Sequence, residues 1–441
     1  MMRFFYLVLK LALQFALRLF YPRNKTVNSP RQWYGRTIYV SNHAASFMDP
    51  LVAAVLRSPI VFFMTRSDVF TPITKPILWA AHMLPIYRQH DGVDTKDRNE
   101  KVFDQCARIL SFGRNLLIFG EGFTDDVFIR RLKPLKKGAV RIGFHTLEKI
   151  NWKKKIYIAA VGINYSDPNE MRSDCLISTS EKICLNDYKD LYLENPSRAI
   201  TELTKKVEDL LKTQITHVED LAWNSFHEEV MILTRKGMNA RHSDHSIALE
   251  KRWHYSQDLA VWLNARSSEE LETLVPLKEK MALYFKELKS NKIDENHVFE
   301  KATTGTIQRS KELLHVALLF PFMILGVLHC ALPYLLVKRF VEKSFKRRVF
   351  WSSVKLLMGM ISMGILNIPV IFLFYAFIYP SYLLAFAYYL CIGLFGLAAY
   401  MWMRNLNRFK EKGHAQHLDL QKWEKQRAEL LSEIQAQIPV A

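Results

Sequence analysis

Cysteine is scarce in this sequence, which has 441 residues and five cysteines. They are Cys106, Cys175, Cys184, Cys330 and Cys391, and none has the spacing of a metal-binding pair. An odd number of scattered cysteines argues against a disulfide framework and is typical of a protein in a reducing compartment. We therefore expect the fold to be held together without disulfides.

Three common catalytic motifs are also missing. The sequence has no Gly-x-Ser-x-Gly elbow, no Walker-type glycine loop and no His-Glu-x-x-His. These absences argue against a nucleophile elbow, a phosphate-binding loop and a zinc-protease helix. The run His242-Ser243-Asp244-His245 has metal-binding chemistry, but two loop histidines without a third ligand are usually solvated. We expect no cofactor and no metal.

Acidic residues are few relative to basic ones, with 43 Asp and Glu against 61 Lys and Arg and a net charge of +18. Such an excess favours anionic partners, either nucleic acid or a membrane surface. Three apolar segments favour the membrane surface, because each is long enough to cross a bilayer core. They are Leu313–Val337, Leu356–Tyr379 and Ser381–Met403. We predict membrane lipids as partners and no nucleic acid.

The N-terminal segment Met1–Tyr21 is apolar except for Arg3, Lys10, Gln14 and Arg18. At 100° per residue these four side chains lie within an arc of about 80°. Such a helix lies in the membrane interface with its apolar face among the acyl chains. A signal peptide is the alternative, but Lys10 interrupts the apolar core and no small-residue cleavage site follows.

Polar residues follow several apolar segments that have the pattern of buried strands. In chain order the exits carry His43 and Asp49, then Arg88, and then Glu121 and Gly122. A histidine with a nearby carboxylate can take a proton from a hydroxyl. Arginine is suited to phosphate, and glycine lets a backbone approach a ligand closely. We expect these exits to form one site.

His43 and Asp49 cannot lie on one face of a continuous helix, because six residues correspond to about 240°. We predict His43 on a loop and Asp49 near the first turn of the next helix, with the chain turning back between them. Asp49 can then accept the Nδ1 proton and leave Nε2 for a hydroxyl, as a triad carboxylate does. The alternative is that Asp49 only caps the helix that begins near Pro50.

In order and spacing these exits resemble the motif blocks of the glycerol-phosphate and lysophosphatidate acyltransferases, the PlsC-like family, over roughly residues 25–215. In that family the histidine and aspartate of the first block are the catalytic pair. The resemblance carries this role to His43 and Asp49. It implies substrate-binding roles for Arg88, Glu121 and Gly122.

Some positions depart from the family pattern. Five residues separate the predicted catalytic pair where four are usual, as in a subgroup whose block reads Asn-His-x-x-x-x-x-Asp-Pro. Gly120 and Ala160 stand where the family commonly has proline. A fourth block shapes the acyl-donor side in the family, and Gly162 and Asn164 are its candidates here.

The resemblance implies a membrane-bound O-acyltransferase of phospholipid biosynthesis. It would move a fatty acyl group from acyl-CoA or acyl carrier protein to the hydroxyl of 1-acyl-sn-glycerol 3-phosphate, with His43 as general base. Arg88 and Lys136 can neutralise the acceptor phosphate, whereas Lys137 and Arg141 can equally be surface residues. Glycerol 3-phosphate or another lysolipid is an alternative acceptor. A non-catalytic polybasic membrane scaffold is the alternative of a different class.

We expect an α/β fold in which a PlsC-like acyltransferase domain, a mixed sheet flanked by helices, follows an N-terminal interfacial helix and precedes a C-terminal α-helical membrane module. The predicted boundaries are 1–24 for the amphipathic helix, 25–215 for the acyltransferase domain, 216–300 for a helical module, 301–311 for a linker, 312–403 for transmembrane or re-entrant helices and 404–441 for a basic helical tail.

The catalytic domain is expected to face the cytoplasm, where the acyl donors are. The last two apolar segments meet at Pro380 and are predicted to form a hairpin whose basic flanks, 338–348 and 404–412, are both cytosolic. A single crossing by Leu313–Val337 would put the catalytic domain on the opposite side. Because two prolines and a glycine interrupt that segment, we predict a re-entrant hairpin within it.

Overall fold

The chain forms two compact units in this computed structural model, which describes residues 2–29, 35–56, 61–72, 74–87 and 95–440. One unit consists of Met1–Asn224 with His245–Asn264, and the other of Ser225–Asp244 with Ala265–Ala441. Each unit therefore combines two separate stretches of sequence. The domain boundaries given above stay a prediction.

In the described residues of the first unit, eight strands form one mixed sheet. They are β1 (Arg23–Val27), β2 (Thr37–Ser41), β3 (Val61–Arg66), β4 (Met83–Ile86), β5 (Asn115–Phe119), β6 (Tyr157–Tyr165), β7 (Asp174–Thr179) and β8 (Ile183–Cys184). Their order is β1-β7-β6-β2-β5-β3-β4, with β8 paired to β6. Neighbours are parallel, except that β7 and β8 run antiparallel to β6. The predicted mixed sheet is confirmed.

Helices flank this sheet and build the rest of the chain. They are α1 (Met2–Phe20), α2 (Met48–Val55), α3 (Lys75–Ala80), α4 (Thr95–Ser111), α5 (Gly138–Lys149), α6 (Lys189–Glu194), α7 (Pro196–Lys212), α8 (Asn224–Thr234), α9 (Leu249–Asn264), α10 (Ser268–Ser290), α11 (Glu295–Thr304), α12 (Ser310–Ser344), α13 (Trp351–Leu366), α14 (Ile368–Phe377), α15 (Tyr382–Gln416) and α16 (Gln421–Gln437).

The central strands are buried, as their unbroken apolar sequences require. Every residue of β2 is buried, and α4, α5 and α7 pack into one cluster with Ile38 and Leu116 of the sheet. The start of α7 is well defined, because the Asn195 side chain accepts from the N–H of Arg198 and Pro196 occupies the first turn. The helices therefore hold the strands at fixed positions behind the strand exits.

The outer face of α1 is apolar and exposed. Leu13 and Leu17 are buried, whereas Leu7, Leu11 and Phe15 are 47%, 65% and 53% exposed. A helix with one apolar face against the protein and another facing outward suits a membrane interface. This arrangement agrees with the amphipathic pattern predicted from the sequence.

A buried ion pair ties α9 to the sheet. Asp174 on β7 is fully buried, and Nη1 of Arg252 on α9 donates to it at 2.5 Å. Arg23 on β1 bonds the other carboxylate oxygen. Removal of one partner from such a pair leaves an uncompensated buried charge and costs about 3 to 5 kcal/mol. Helix α9 is therefore an integral part of the unit that contains the sheet.

In the second unit, α11 and α16 meet at another buried carboxylate. Glu295 at the start of α11 is 3% exposed and accepts from Arg427 of α16 at 2.6 Å and from Arg235. Both guanidinium groups lie over the ring of Phe299, at 5.0 and 3.9 Å. The C-terminal helix α16 is therefore docked on the helical part of this unit.

In the described part of the second unit, three segments are long and apolar enough to cross a membrane: Ser310–Ser344, Arg348–Phe377 and Tyr382–Gln416. The first is one continuous helix, α12, that contains two prolines. The re-entrant hairpin predicted within Leu313–Val337 is therefore wrong. A proline removes one backbone hydrogen bond, and packing against a neighbouring helix is enough to keep an apolar helix continuous there.

Helix α15 packs along α12 and runs antiparallel to it. Near the middle of α12, Cys330 lies 3.7 Å from the carbonyl oxygen of Ile392. Near the start of α12, Glu312 pairs at 3.0 Å with Lys412, close to the end of α15. The start of α15 therefore lies beside the second half of α12.

Helix α13 also runs antiparallel to α12, but it covers only the second half. Lys355 near the start of α13 pairs with Glu342 near the end of α12 at 2.8 Å. Asn367, which follows α13, bonds His329 close to the middle of α12. The chain has therefore reached the middle of α12 when α13 ends.

The chain reverses direction at Asn367. Only residues 378–381 separate α14 from α15, and four residues cannot reach from the start of α12 to its second half. Tyr375 of α14 stacks on Tyr382 of α15, with ring centroids 4.3 Å apart. Helix α14 therefore returns toward the end from which α13 came, and Arg348–Phe377 is a helical hairpin with Asn367 at its tip.

Polar side chains hold the tip of this hairpin. Nδ1 and Nε2 of His329 lie 3.2 and 2.9 Å from Oδ1 of Asn367 and Oη of Tyr388. The amide of Asn367 also donates to the carbonyl oxygen of His329 at 3.1 Å. Broken helices are tolerated in a bilayer where protein groups satisfy their polar atoms. The hairpin can therefore end at mid-membrane depth.

The two basic flanks lie at opposite ends of α12. Residues 404–412 lie beside its start, and residues 338–348 comprise its last residues and the segment that follows. A bilayer crossed by α12 would therefore separate the two flanks. This arrangement disagrees with the prediction that both flanks are cytosolic, which treated Leu356–Tyr379 as one crossing. With one reversal at Asn367, the path of the chain predicts two crossing helices and one hairpin that enters and leaves the membrane on one side.

This topology predicts the sides on which three engineered cysteines are labelled. In a background without the native cysteines, Lys346→Cys and Ser381→Cys should react with a membrane-impermeant maleimide from the same side of oriented vesicles. Lys410→Cys should react from the other side, because about 28 helical residues span some 42 Å. Labelling of positions 346 and 381 from opposite sides would show that Arg348–Phe377 crosses the bilayer.

Candidate active site

Three strand exits meet at one edge of the sheet. Parallel pairing aligns Ser41 of β2 with Phe119 of β5 and with Val161 of β6. The carboxyl ends of parallel strands are a common place for ligand sites. His43 and Glu121 lie in the loops that follow β2 and β5, and β6 continues past this edge to Tyr165. The structure therefore brings together the predicted exits that carry His43 and Glu121.

The loop after β2 turns back on itself before α2. Ser46 has a φ of 51°, a left-handed conformation that reverses the chain between His43 and Asp49. The N–H groups of Met48 and Asp49 donate to the carbonyl oxygens of Ala45 and Ser46. His43 therefore lies on a loop and Asp49 in the first turn of α2, as predicted.

Asp49 contacts His43 directly. Oδ2 of Asp49 lies 2.9 Å from Nδ1 of His43 and accepts from the N–H of Ala45 at 2.8 Å. The N-cap of α2 is Phe47, which makes no side-chain cap bond. The carboxylate thus serves the preceding loop, and the alternative of a simple helix cap does not describe its contacts.

Two contacts hold the imidazole of His43, one on its face and one at Nδ1. Its ring stacks on Phe119 with centroids 4.5 Å apart, and its side chain is 20% exposed. Because Nδ1 faces Asp49, a neutral ring carries its proton there and presents the lone pair of Nε2. This is the arrangement of a general base whose tautomer is set by a carboxylate.

Tyr165 was not among the predicted site residues. It lies at the end of β6, is fully buried, and donates from Oη to Oδ1 of Asp49 at 2.9 Å. Burial, aided by the charge of Asp49, raises the pKa of the Tyr165 hydroxyl well above its usual value. No spacing pattern links two residues so far apart in the chain, so the sequence carried no signal for this contact.

Asn42 is a second residue that the sequence reasoning missed. Its side-chain amide donates to the carbonyl oxygen of Ile163 at 3.0 Å and accepts from the N–H of Ile163 at 2.8 Å. These bonds continue the pairing of β2 with β6 by one step beyond Ser41. The loop that carries His43 therefore leaves the sheet from a fixed point.

Glu121 is buried beneath the same loop. Its two carboxylate oxygens accept from the backbone N–H groups of His43, at 2.6 Å, and Lys133, at 3.2 Å. Burial raises the pKa of Glu121, while these two hydrogen bonds act in the opposite direction. Its contacts in the structure fix the backbone of His43. The substrate-binding role implied by the resemblance stays a prediction.

Gly122 and Lys136 lie against each other next to Glu121. Gly122 has a φ of 77°, and a Cβ added to it would be 2.9 Å from Nζ of Lys136. The backbone N–H of Lys136 donates to the carbonyl oxygen of Gly120 at 2.9 Å. An exposed ammonium group is therefore held over a bare stretch of backbone, which suits an anionic ligand.

The two departures from proline have a structural reason. The N–H of Gly120 donates to the carbonyl oxygen of Ser41 at 3.0 Å, and the N–H of Ala160 donates to the hydroxyl of Ser180 at 2.9 Å. Proline has no N–H and cannot make either bond. Both positions therefore use a backbone donor that proline would remove.

The block-four candidates lie against the segment after α7. A Cβ on Gly162 would be 2.0 Å from the carbonyl oxygen of Gln214. The amide of Asn164 donates to Gln214 O at 2.9 Å and accepts from the N–H of Thr216 at 3.0 Å. These contacts explain both residues by packing, and a donor-side role stays a prediction.

Arg88, a predicted substrate-binding residue, lies outside the described residues.

The segment His242–His245 has a structural role, since Nε2 of His242 lies 3.1 Å from Asp294. Within the part of the chain that the structure describes, no group of three or more His, Cys, Asp or Glu side chains could hold a metal. The described site thus consists of a His–Asp pair, a second buried carboxylate and a lysine.

The family model described as Acyltransferase matches residues 23–164. Residues 23–164 therefore form an acyltransferase domain. This range contains the His43–Asp49 pair, Glu121 and the strands that hold them. The match confirms the resemblance to the acyltransferase family.

The structure is also similar to the crystal structure of the 1-acyl-sn-glycerophosphate (LPA) acyltransferase PlsC from Thermotoga maritima. The sequence identity is 16%, the TM-score is 0.30, and the match covers 44% of this chain and 79% of that chain. No curated protein matches the sequence of this acyltransferase.

Proposed function

We propose that this acyltransferase moves a fatty acyl group from acyl-CoA to the hydroxyl of 1-acyl-sn-glycerol 3-phosphate, with His43 as general base and Asp49 as its partner. The observation that carries the proposal is the 2.9 Å contact between Nδ1 of His43 and Asp49. With Nδ1 engaged, Nε2 is the nitrogen that can meet an acceptor hydroxyl.

The reaction needs one proton transfer to His43 and one proton transfer from it. Nε2 of His43 takes the hydroxyl proton as the oxygen attacks the thioester carbonyl carbon. When the C–S bond breaks, the thiolate leaves and can take the proton from the imidazolium. A thiol has a pKa of about 8.5, so this leaving group needs little acid assistance. General-base help of this kind typically accelerates a reaction by about 10² to 10⁴.

The lysine beside the second carboxylate supports a phosphate-bearing acceptor. Lys136 carries an exposed ammonium group next to Gly122, and Glu121 connects this loop to the backbone of His43. A charged hydrogen bond to phosphate would place the acceptor close to the base. Arg88 is proposed as a further phosphate ligand on the resemblance alone.

The apolar surfaces favour an acceptor that already carries an acyl chain. Leu7, Leu11 and Phe15 of α1 are exposed, and the second unit contains long apolar helices. A lysophospholipid would remain in the membrane while its headgroup reaches the site. Glycerol 3-phosphate, another lysolipid, and acyl carrier protein as donor stay alternatives. We place the catalytic domain on the cytoplasmic side, where the donors are.

The first test is acyl transfer from labelled acyl-CoA, offered lysophosphatidate and glycerol 3-phosphate in parallel. We expect transfer to lysophosphatidate, and a loss of about 10² to 10⁴ in kcat for His43→Ala. The matched control is His145→Ala, because Nε2 of His145 also pairs with an aspartate, Asp104, at 2.7 Å. This variant should keep the wild-type rate within about twofold.

Two results would contradict this assignment. One is a His43→Ala protein that keeps its rate, and the other is an equal loss in both histidine variants. Transfer to glycerol 3-phosphate alone would select the alternative acceptor. If acyl-CoA gives no product, acyl carrier protein should be tried as the donor before the acceptor is changed.

Lys136→Ala tests the phosphate contact. A hydrogen bond between charged groups contributes about 1.5 to 3 kcal/mol, so the KM for lysophosphatidate should rise about tenfold or more. Lys137→Ala is the matched control, because the Nζ of Lys137 donates to the hydroxyl of Thr201 at 2.7 Å. A rise in KM only for acyl-CoA, or an equal rise in both variants, would count against the contact.

A further inference from the structure

Both oxygens of the Asp49 carboxylate have hydrogen-bond donors. Oδ2 faces Nδ1 of His43 and the N–H of Ala45, at 2.9 and 2.8 Å. Oδ1 accepts from the hydroxyl of Tyr165 at 2.9 Å. Asp49 and Tyr165 are both fully buried, so no solvent replaces any of these donors.

We infer that Tyr165 is a positioning residue for acyl transfer: its hydroxyl fixes the Asp49 carboxylate, which in turn sets the tautomer and orientation of His43. The inference rests on the proposed role of His43 as general base. It adds a third member to the pair, contributed by β6, whereas His43 lies on the loop after β2 and Asp49 in the first turn of α2.

Tyr165 is itself rigidly placed. It is the last residue of β6, and its carbonyl oxygen accepts from Nη1 of Arg130 at 2.9 Å. Its ring packs near that of Tyr21, with centroids 5.6 Å apart. A hydroxyl on a fixed ring allows the carboxylate one orientation, whereas an unpaired Oδ1 would let the carboxylate rotate away from His43.

Tyr165 acts only as a donor. Burial, reinforced by the Asp49 charge, keeps the pKa of its hydroxyl well above 10, so the proton stays on Tyr165 throughout an assay at neutral pH. Its hydrogen bond draws part of the Asp49 charge away from the imidazole. Without that bond, Asp49 would carry more of its charge toward the imidazole and stabilise the imidazolium more strongly.

Other titratable groups face the pair. Near Asp49 these are Tyr21 and Cys175, and burial raises the pKa of both well above their usual values, so both stay neutral. Glu121 faces His43 from the loop after β5, with Lys133 beside it. These groups are all present in both wild type and Tyr165→Phe, so their titration cancels when these two proteins are compared.

Tyr21 provides a matched control for Tyr165. It is also fully buried, and its hydroxyl donates to the carbonyl oxygen of Pro168 at 2.8 Å. Tyr21→Phe therefore deletes a buried tyrosine hydrogen bond of similar length, 2.8 Å against 2.9 Å, in the neighbouring ring. It leaves the three donors to Asp49 in place. A loss of packing or stability should appear in both variants.

The test compares Tyr165→Phe with Tyr21→Phe in the detergent-solubilised full chain, with lysophosphatidate and acyl-CoA. For Tyr165→Phe we expect kcat to fall about tenfold relative to the control, with both KM values within about twofold. The acid limb of the kcat profile should move to higher pH by about half a pH unit or more. A second readout, the pH dependence of His43 modification by diethylpyrocarbonate, followed by peptide mass spectrometry, should move by the same amount.

The modification of His43 by diethylpyrocarbonate needs no turnover. It therefore tests the coupling of Tyr165 to His43 separately from the proposed acyl-transfer function. If wild type transfers no acyl group to any acceptor but the His43 modification profile moves in Tyr165→Phe alone, the proposed function fails and the coupling stands. If wild type is active and the two tyrosine variants have the same kcat, the same acid limb and the same modification profile, Tyr165 only fills space and the inference is overturned.

Discussion

The buried Asp49 carboxylate is the group on which the candidate site depends, because a charge is tolerated in a protein interior only when donors surround it. Its donors come from His43, from the backbone of Ala45 and from Tyr165. All must be in place at once. The parallel pairing of β2 with β6 and the left-handed turn at Ser46 are both needed to bring these donors to Asp49.

A second buried carboxylate, Glu121, acts on the backbone of His43 as Asp49 acts on its ring. The two carboxylates approach from different elements, the β5 exit and the first turn of α2. The main chain and the imidazole are thus held separately, and Nε2 is the nitrogen left for chemistry. A base placed in advance of substrate binding avoids reorganisation during the reaction.

The reversal between His43 and Asp49 could be predicted, because helical periodicity alone forbids both from sharing one helix face. Tyr165 could not, since its contact joins residues 116 positions apart and no local pattern marks it. The membrane segments were found by length and composition. A reversal of the chain was predicted within Leu313–Val337, because prolines weaken helices. The chain instead reverses at Asn367, where tertiary contacts with α12 and α15 determine its path.

The most direct test of the account is a double-mutant cycle on the catalytic pair, with kcat for acyl transfer measured in wild type, His43→Ala, Asp49→Asn and the double variant. Asp49 is held to act through His43, so the double variant should be no slower than His43→Ala within about threefold. If the two losses multiply instead, Asp49 contributes independently of His43, and the central claim is contradicted.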